Sequence, residues 1–257
     1  MNRFRIADHS NRTRTALLSA SLCLSLLAPI YTSASSVQGM DSQRPDLHAD
    51  QLREELWRFQ VEIDDRVVGN HEFLVTSSHN VQKISSNARF NVKLLFVTVF
   101  DYVHTNTEQW QSNCLDQIES ETKMNRKNFA VSGQRQEDNF VASTADEYSL
   151  LPACIQTFAY WNPSILQADK LMNAQTGKLE NVRIQALGQE PFEVAGRQVT
   201  AEKYRIALDK GHIDVWYRSG DPVWLGLQTL TGDGNLVRYV PLQTPLSEGL
   251  TTHAQTI

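Results

Sequence analysis

The stretch QVTAEKYRIALDKGHIDVWYRSGDPVWLGLQTLTGDGNLVRYVPLQ, residues 198–243, decides the fold. It divides into four short strands joined by three tight turns. The turns are Asp209-Lys210-Gly211, Ser219-Gly220-Asp221-Pro222 and Gly232-Asp233-Gly234. Glycine supplies positive φ and aspartate bonds its own backbone, so both punctuate a chain. Between the turns lie Ile213-Asp214-Val215-Trp216-Tyr217, Trp224-Leu225-Gly226-Leu227 and Leu236-Val237-Arg238-Tyr239-Val240. β-Branched and aromatic runs at this spacing predict an up-and-down antiparallel meander.

The same signals continue upstream. Trp57, Phe59, Val61 and Ile63 alternate with polar residues, which predicts a strand with one buried face. Asp64-Asp65-Arg66 turns it, and Val67–Thr76 returns. The aspartate pair is read as hairpin chemistry rather than a metal site. After a turn at Ser77–Asn80, Val81–Val92 forms a strand, and Lys93–Asn106 reads as the most apolar one, covered on both faces. At its far end Tyr102, His104 and Asn106 share one face, and Asp101, Val103 and Thr105 the other. Such a strand either opens into a pocket mouth or leaves the core for solvent. Gln109–Thr122 supplies a further strand. Ser132–Glu147 is polar and aperiodic, and reads as an exposed excursion. Cys154–Trp161 has apolar residues at helical spacing. Asn162-Pro163 then ends that helix, or starts a short turn with Asn162 as N-cap and Pro163 at its first position. Val182, Ile184 and Ala186 alternate in one more strand.

About eleven strands and one short helical segment near 154–168 predict a mainly β fold. The expected form is a large antiparallel twisted sheet closing as a barrel or half-barrel, with the helical segment plugging one end. Open edges invite aggregation, which favours closure. The expected organisation is a signal peptide at 1–34, a flexible lead-in at 35–52, one β domain at 53–243 and a disordered tail at 244–257.

The leader rests on three features. Arg3, Arg5, Arg12 and Arg14 give a basic start, Ala16–Ala28 an apolar run, and Thr32-Ser33-Ala34 a small-residue cleavage site. An uncleaved anchor helix is the competing reading. Cys23 follows Leu22, where a lipoprotein signal needs a small residue. Loss of the leader removes four arginines and one aspartate, leaving 20 basic against 28 acidic residues. That acidic balance argues against nucleic acid as a partner. No later stretch is long and apolar enough for a membrane helix. Cys114 and Cys154 remain, and an even count in an oxidising compartment predicts a disulfide.

The catalytic motifs are missing: no Gly-x-Ser-x-Gly, His-Glu-x-x-His, phosphate-binding glycine loop or Cys-x-x-Cys occurs. No catalytic residue, metal or cofactor is assigned. The stronger signal is aromatic. Phe158-Ala159-Tyr160-Trp161-Asn162 packs three rings beside a cysteine, and Trp216, Tyr217 and Trp224 add more. Most such rings fill cores. A wide β-barrel also uses them to line a ligand cavity.

Val92-Lys93-Leu94-Leu95-Phe96, Cys114-Leu115, Leu151-Pro152-Ala153-Cys154, Phe158-Ala159-Tyr160-Trp161-Asn162-Pro163 and Gln175-Thr176-Gly177-Lys178-Leu179 carry a family likeness. Over Trp57–Leu242 the chain resembles uncharacterised exported proteins of Gram-negative bacteria, classed only as a domain of unknown function. The resemblance implies export and an antiparallel β fold. It brings no activity and no site residues.

Three functional readings follow. The first is a periplasmic binding or carrier module for an apolar, lipid-like molecule. Phe158, Tyr160, Trp161, Trp216 and Trp224 would line its cavity, with Tyr102 and His104 at the mouth. The second is a structural or interaction protein of the cell envelope with a solid core, which a cavity no larger than about 300 Å³ would favour. The third is a lipid-directed hydrolase or isomerase using Asp101 and His104, or His212 with Asp214.

Overall fold

The structure, a computed structural model, describes residues 52–94 and 97–245, the side chains of 93–94 and 97–99 excepted. The expected signal peptide, nearly all of the lead-in and most of the tail lie outside the described residues.

Among the described residues fifteen strands are formed: β1 (Arg53–Ile63), β2 (Arg66–Ser78), β3 (Val81–Leu94), β4 (Val97–Gln111), β5 (Cys114–Met124), β6 (Lys127–Arg135), β7 (Asn139–Thr144), β8 (Tyr148–Pro152), β9 (Lys170–Met172), β10 (Leu179–Asn181), β11 (Arg183–Val194), β12 (Arg197–Ala207), β13 (His212–Arg218), β14 (Trp224–Leu230) and β15 (Leu236–Gln243). Thirteen of them make one antiparallel sheet in the order β11-β12-β13-β14-β15-β1-β2-β3-β4-β5-β6-β7-β8. It consists of two meanders joined where β1 pairs with β15, Phe59 opposite Pro241 and Val61 opposite Tyr239. The sheet is barrel-like but does not close, because edge strands β8 and β11 are not paired with each other.

Most hairpins are set by local chemistry. Asp64 and Asp65 take φ of 47° and 64°, and Ala195 and Gly196 take 48° and 75°. Paired positive φ is the two-residue turn whose twist matches a hairpin. The meander over 198–243 has its strands and turns where the sequence puts them.

Four expectations need correction. The apolar run 93–106 is not one strand: β3 ends at Leu94 and the antiparallel β4 begins at Val97, with no turn residue to mark the reversal. Gln109–Thr122 is likewise divided, by a turn at Ser112 and Asn113 with φ of 51° and 64°. The supposed excursion 132–147 contains the end of β6 and all of β7. The inner face of β6 and β7 is carried by Val131, Phe140 and Ala142, all buried, with Gly133 between, so small residues dilute the period-2 signal. Cys154–Trp161 is not helical. Ile155, Thr157, Ala159 and Trp161 are buried and the residues between them are not, which is the period of an extended chain. Its backbone bonds Met172, with Met172 N donating to Gln156 O at 2.7 Å and Phe158 N to Met172 O at 3.3 Å. Tertiary pairing overrides the local helical pattern. The helical element is the 3-10 turn Pro163–Gln167, with Asn162 as N-cap accepting from Ser164 N. Of the expected tail, Thr244 lies within the described residues and is buried.

Residues 153–182 connect the two edges of the sheet and run across its inner face. This crossover buries Ile155, Ala159, Trp161, Ile165, Leu171 and Met172 against Trp57, Phe59, Trp110, Leu115 and Trp224 of the sheet. Trp161 meets Trp110 edge-on at 5.5 Å, and Tyr217 Oη donates to Tyr160 O at 2.9 Å. The Cys114–Cys154 disulfide ties the start of the crossover to β5, beside a backbone bond from Leu115 N to Ile155 O.

The bridge closes a loop of 40 residues. Replacing both cysteines by serine should lower stability by about 4 kcal/mol, read as a shift in urea midpoint. Gly69 makes a close backbone contact: a Cβ there would lie 1.9 Å from Arg89 O of β3. Gly69→Ala should cost at least ~2 kcal/mol by the same measurement, because only backbone movement relieves the overlap.

Candidate functional site

Strand alternation and register build the site. On β4 the even-numbered residues Tyr102, His104, Asn106 and Glu108 point to the inner face. In register beside them lie Phe90, Ala88, Ser86 and Ile84 of β3, and Met124, Thr122, Ser120 and Ile118 of β5. The result is a polar band in an otherwise apolar wall. His104, Asn106, Glu108, Ser86, Ser120 and Thr122 are all buried.

The crossover spans this band without filling the space above it. A cavity of about 260 Å³ remains. Its wall is His71, Phe73, Ser86, Tyr102, His104, Asn106 and Glu108, and its roof is Thr157, Phe158, Ala159, Tyr160 and Trp161. Partly exposed Asn173, Gln175, Glu180, Leu208 and Ile213 form the rim.

The wall is held by its own hydrogen bonds. His71 lies between Tyr239 Oη at 3.0 Å and Ser86 Oγ at 2.7 Å. His104 Nδ1 bonds Thr122 Oγ1 at 2.8 Å. Glu108 accepts from Asn106 Nδ2 at 2.8 Å, Trp110 Nε1 at 2.7 Å and Thr157 Oγ1 at 3.3 Å. Tyr102 Oη donates to Gln175 Oε1 at 3.2 Å, fastening wall to rim. Phe100, Tyr102 and His104 stack along β4, with Phe90 against Tyr102 at 5.2 Å. In this polar band two buried atoms have no partner, Asn106 Oδ1 and Ser120 Oγ.

Burial controls the ionisation of this wall. It lowers His104 to about 4, and lowers His71 well below its ordinary value with help from His104. Both imidazoles are neutral at pH 7. Burial raises Glu108, against the three hydrogen bonds that favour its carboxylate. Burial also lifts the Tyr102 phenol to about 12 and pushes Tyr160 up, aided by Glu180.

Among the residues singled out in the sequence, Tyr102, His104, Phe158, Tyr160 and Trp161 come together around this cavity. His104 sits deep in the wall rather than at the mouth, because alternation turns it inward. Trp224 lies one layer behind, fully buried, its ring 5.3 Å from Tyr160 and 4.4 Å from Phe59. Trp216 is on the other face of the sheet. There it packs with Val194, Ala201 and Leu225, donates to Glu190 Oε1 at 2.6 Å, and lies under Lys203. Trp216 and Tyr217 are consecutive, so they cannot both face inward.

Of the two acid–base pairs, only His212 and Asp214 come together, and Asp214 is already taken up by Arg205. Asp101 and His104 occupy opposite faces of β4, and Asp101 is bound to Asn91 and Asn125. Asp214 is held by Arg205 through two bonds of 2.7 and 2.9 Å, with Lys203 at 3.7 Å and His212 at 3.9 Å. Burial would raise Asp214, but these cations, Arg205 foremost, hold it below the usual carboxylate value. Among the described residues no cluster of three or more His, Cys, Asp or Glu could hold a metal, and no helix is long and apolar enough to cross a membrane. His71, Ser86, Glu108, Thr157 and Glu180 were not singled out from the sequence. Glu108 was within reach, since it extends the 102-104-106 alternation by one step.

An open antiparallel sheet and a disulfide-tied crossover across its inner face define a β-barrel-like protein. The chain belongs to the family DUF6134, a domain of unknown function, which matches residues 59–242. It is similar in fold to the crystal structure of a β-barrel-like protein of the domain of unknown function DUF1849 from Brucella abortus. The TM-score is 0.56 at 10% identity, over 76% of this chain and 98% of that one. None of the curated proteins compared with the chain matches it.

The histidines make stability pH-dependent. Between pH ~6.5 and about 4 the unfolded chain takes up a proton that the folded wall refuses at His104. Stability is therefore whole above pH ~6.5 and falls as pH drops through that window, by on the order of 3 kcal/mol for this residue. Glu108 acts in the opposite sense, since its raised pKa favours the folded state toward acid. His104→Gln should flatten the fall in Tm between pH 6.5 and 4; an unchanged slope contradicts the assignment.

Proposed function

We propose that the chain is a periplasmic binding or carrier module for a small, largely apolar molecule held between the polar band of β4 and the crossover. The observation that carries this reading is a cavity in which Asn106 Oδ1 is buried without a partner. Folded interiors satisfy such atoms, and a small shift of the Asn106 side chain, which lines the cavity, would let Oδ1 meet a group supplied from outside. Phe73, Phe158, Tyr160 and Trp161 would contact the apolar body of the ligand, and the polar tips would orient it. Trp224 would support the roof from behind.

The volume limits the ligand. About 260 Å³ lies just under the ~300–1,000 Å³ typical of ligand pockets. It suits a molecule of about one ring or a short chain rather than a two-chain lipid. The same volume is what favours the second reading, a structural envelope protein that takes no ligand. The periplasmic location is supported by the leader pattern of residues 1–34 and by the disulfide, a bond of oxidising compartments.

The test is native mass spectrometry of the protein taken from its own cell envelope. The expected spectrum shows a bound small molecule, and Ala174→Trp, which fills the rim from a half-exposed position, should abolish it. Bare chain mass in both samples favours the structural reading.

A further inference from the structure

We infer that the cavity selects a molecule presenting an N–H group or a positive charge at one end of its apolar body, and that it rejects carboxylates and phosphates. This rests on the binding reading above and adds the chemistry of the ligand's polar end.

Charge is the first argument. Among the described residues no lysine or arginine lines the cavity, while two carboxylates do, Glu108 in the wall and Glu180 at the rim. Its two histidines are held neutral by burial. An anion entering here would face like charge with no cation to meet it. In so sheltered a space that repulsion is far less screened than in water.

Hydrogen-bond direction is the second. Asn106 gives its Nδ2 to Glu108 Oε1 at 2.8 Å, which fixes which end of the amide is which. Turning it over would set oxygen against a carboxylate. The atom left over is Oδ1, an acceptor, on a side chain only 7% exposed. Ser120, directly opposite Asn106 on β5, has a hydroxyl equally without partner. All three bonds to Glu108 come from donors, and they oppose the burial that raises its pKa. A carboxylate offers about four acceptor sites, so capacity remains for one more donor.

The roof is the third. Phe158, Tyr160 and Trp161 line the same cavity as the two carboxylates, and aromatic rings attract cations over their faces. An ammonium, amidinium or amide N–H on a ring-sized apolar body meets all three conditions.

The experiment is calorimetric titration of the intact, disulfide-bonded chain, freed of co-purified material, with 2-phenylethylamine, 2-phenylethanol and 3-phenylpropionate. These share one ring and differ in the polar end. The expected order is amine, then alcohol, then carboxylate, with the amine at least about ten-fold tighter than the carboxylate. Glu108→Gln should weaken the amine by about ten-fold and leave the alcohol nearly unchanged. Because Glu108 is buried and its variant can misfold, Glu180→Gln at the half-exposed rim gives a second reading, a loss of about two- to three-fold for the amine alone. Equal affinities, or a preference for the carboxylate, overturn the inference and leave the binding reading intact. Binding by none of the three, or one ordered water filling the site in a crystal soaked with the amine, overturns both.

Discussion

A sheet of thirteen strands that does not close must still keep water off its apolar side. Here the crossover 153–182 meets that constraint, and the rest of the structure depends on it. Trp161, Ile165, Leu171 and Met172 are almost wholly buried against the inner face. Each such side chain contributes ~1.5–3 kcal/mol relative to exposure. The crossover has little regular structure of its own beyond the 3-10 turn and the β9–β10 pair. Its position comes from outside contacts: the disulfide, the Tyr217–Tyr160 bond and the Trp110–Trp161 contact. Wall and cover therefore stabilise each other.

The cavity follows from an uneven match between these two parts. Where the inner face is aromatic or aliphatic, the crossover packs onto it. Where β4 turns polar, from His104 to Glu108, the crossover bridges above and leaves space. The carboxylate, the neutral His104 imidazole and the orphan amide oxygen thus occupy the same few residues of one strand, with His71 of β2 close by. The other face of the sheet solves a different problem. Asp214, Arg205, Lys203 and Trp216 form a closed arrangement there in which each charge or donor meets a partner. That contrast separates the two groups of conspicuous residues: one set is complete and the other is not.

The sequence carried the architecture better than the site. Turn chemistry at Asp64-Asp65, Gly211, Gly220 and Gly234 was legible because positive φ demands particular residues. The reversal after Leu94 was not, since nothing there marks a turn. The pairing of Cys114 with Cys154 followed from compartment and count. The rings of Phe158, Tyr160 and Trp161 were visible as a group, but their conformation was not, because the partner that straightens them, Met172, is distant in sequence. Trp216 was misplaced for a simpler reason: a rich aromatic run was read without asking which face each residue takes. The polar band required both the parity of β4 and the register of β3 and β5, and register is a property of paired strands that one strand does not reveal.

The join between β1 and β15 has a consequence for how the chain comes to be folded. The first strand of the sheet waits for the last, since Phe59 and Pro241 are neighbours only once the whole polypeptide has been delivered. Until then β1 offers a bare edge of the sort that recruits other chains. Ordering that hinges on so remote a pairing is slow. The vulnerable interval lies between the emergence of residue 53 and the arrival of residue 243, and a holding chaperone would be of most use during it.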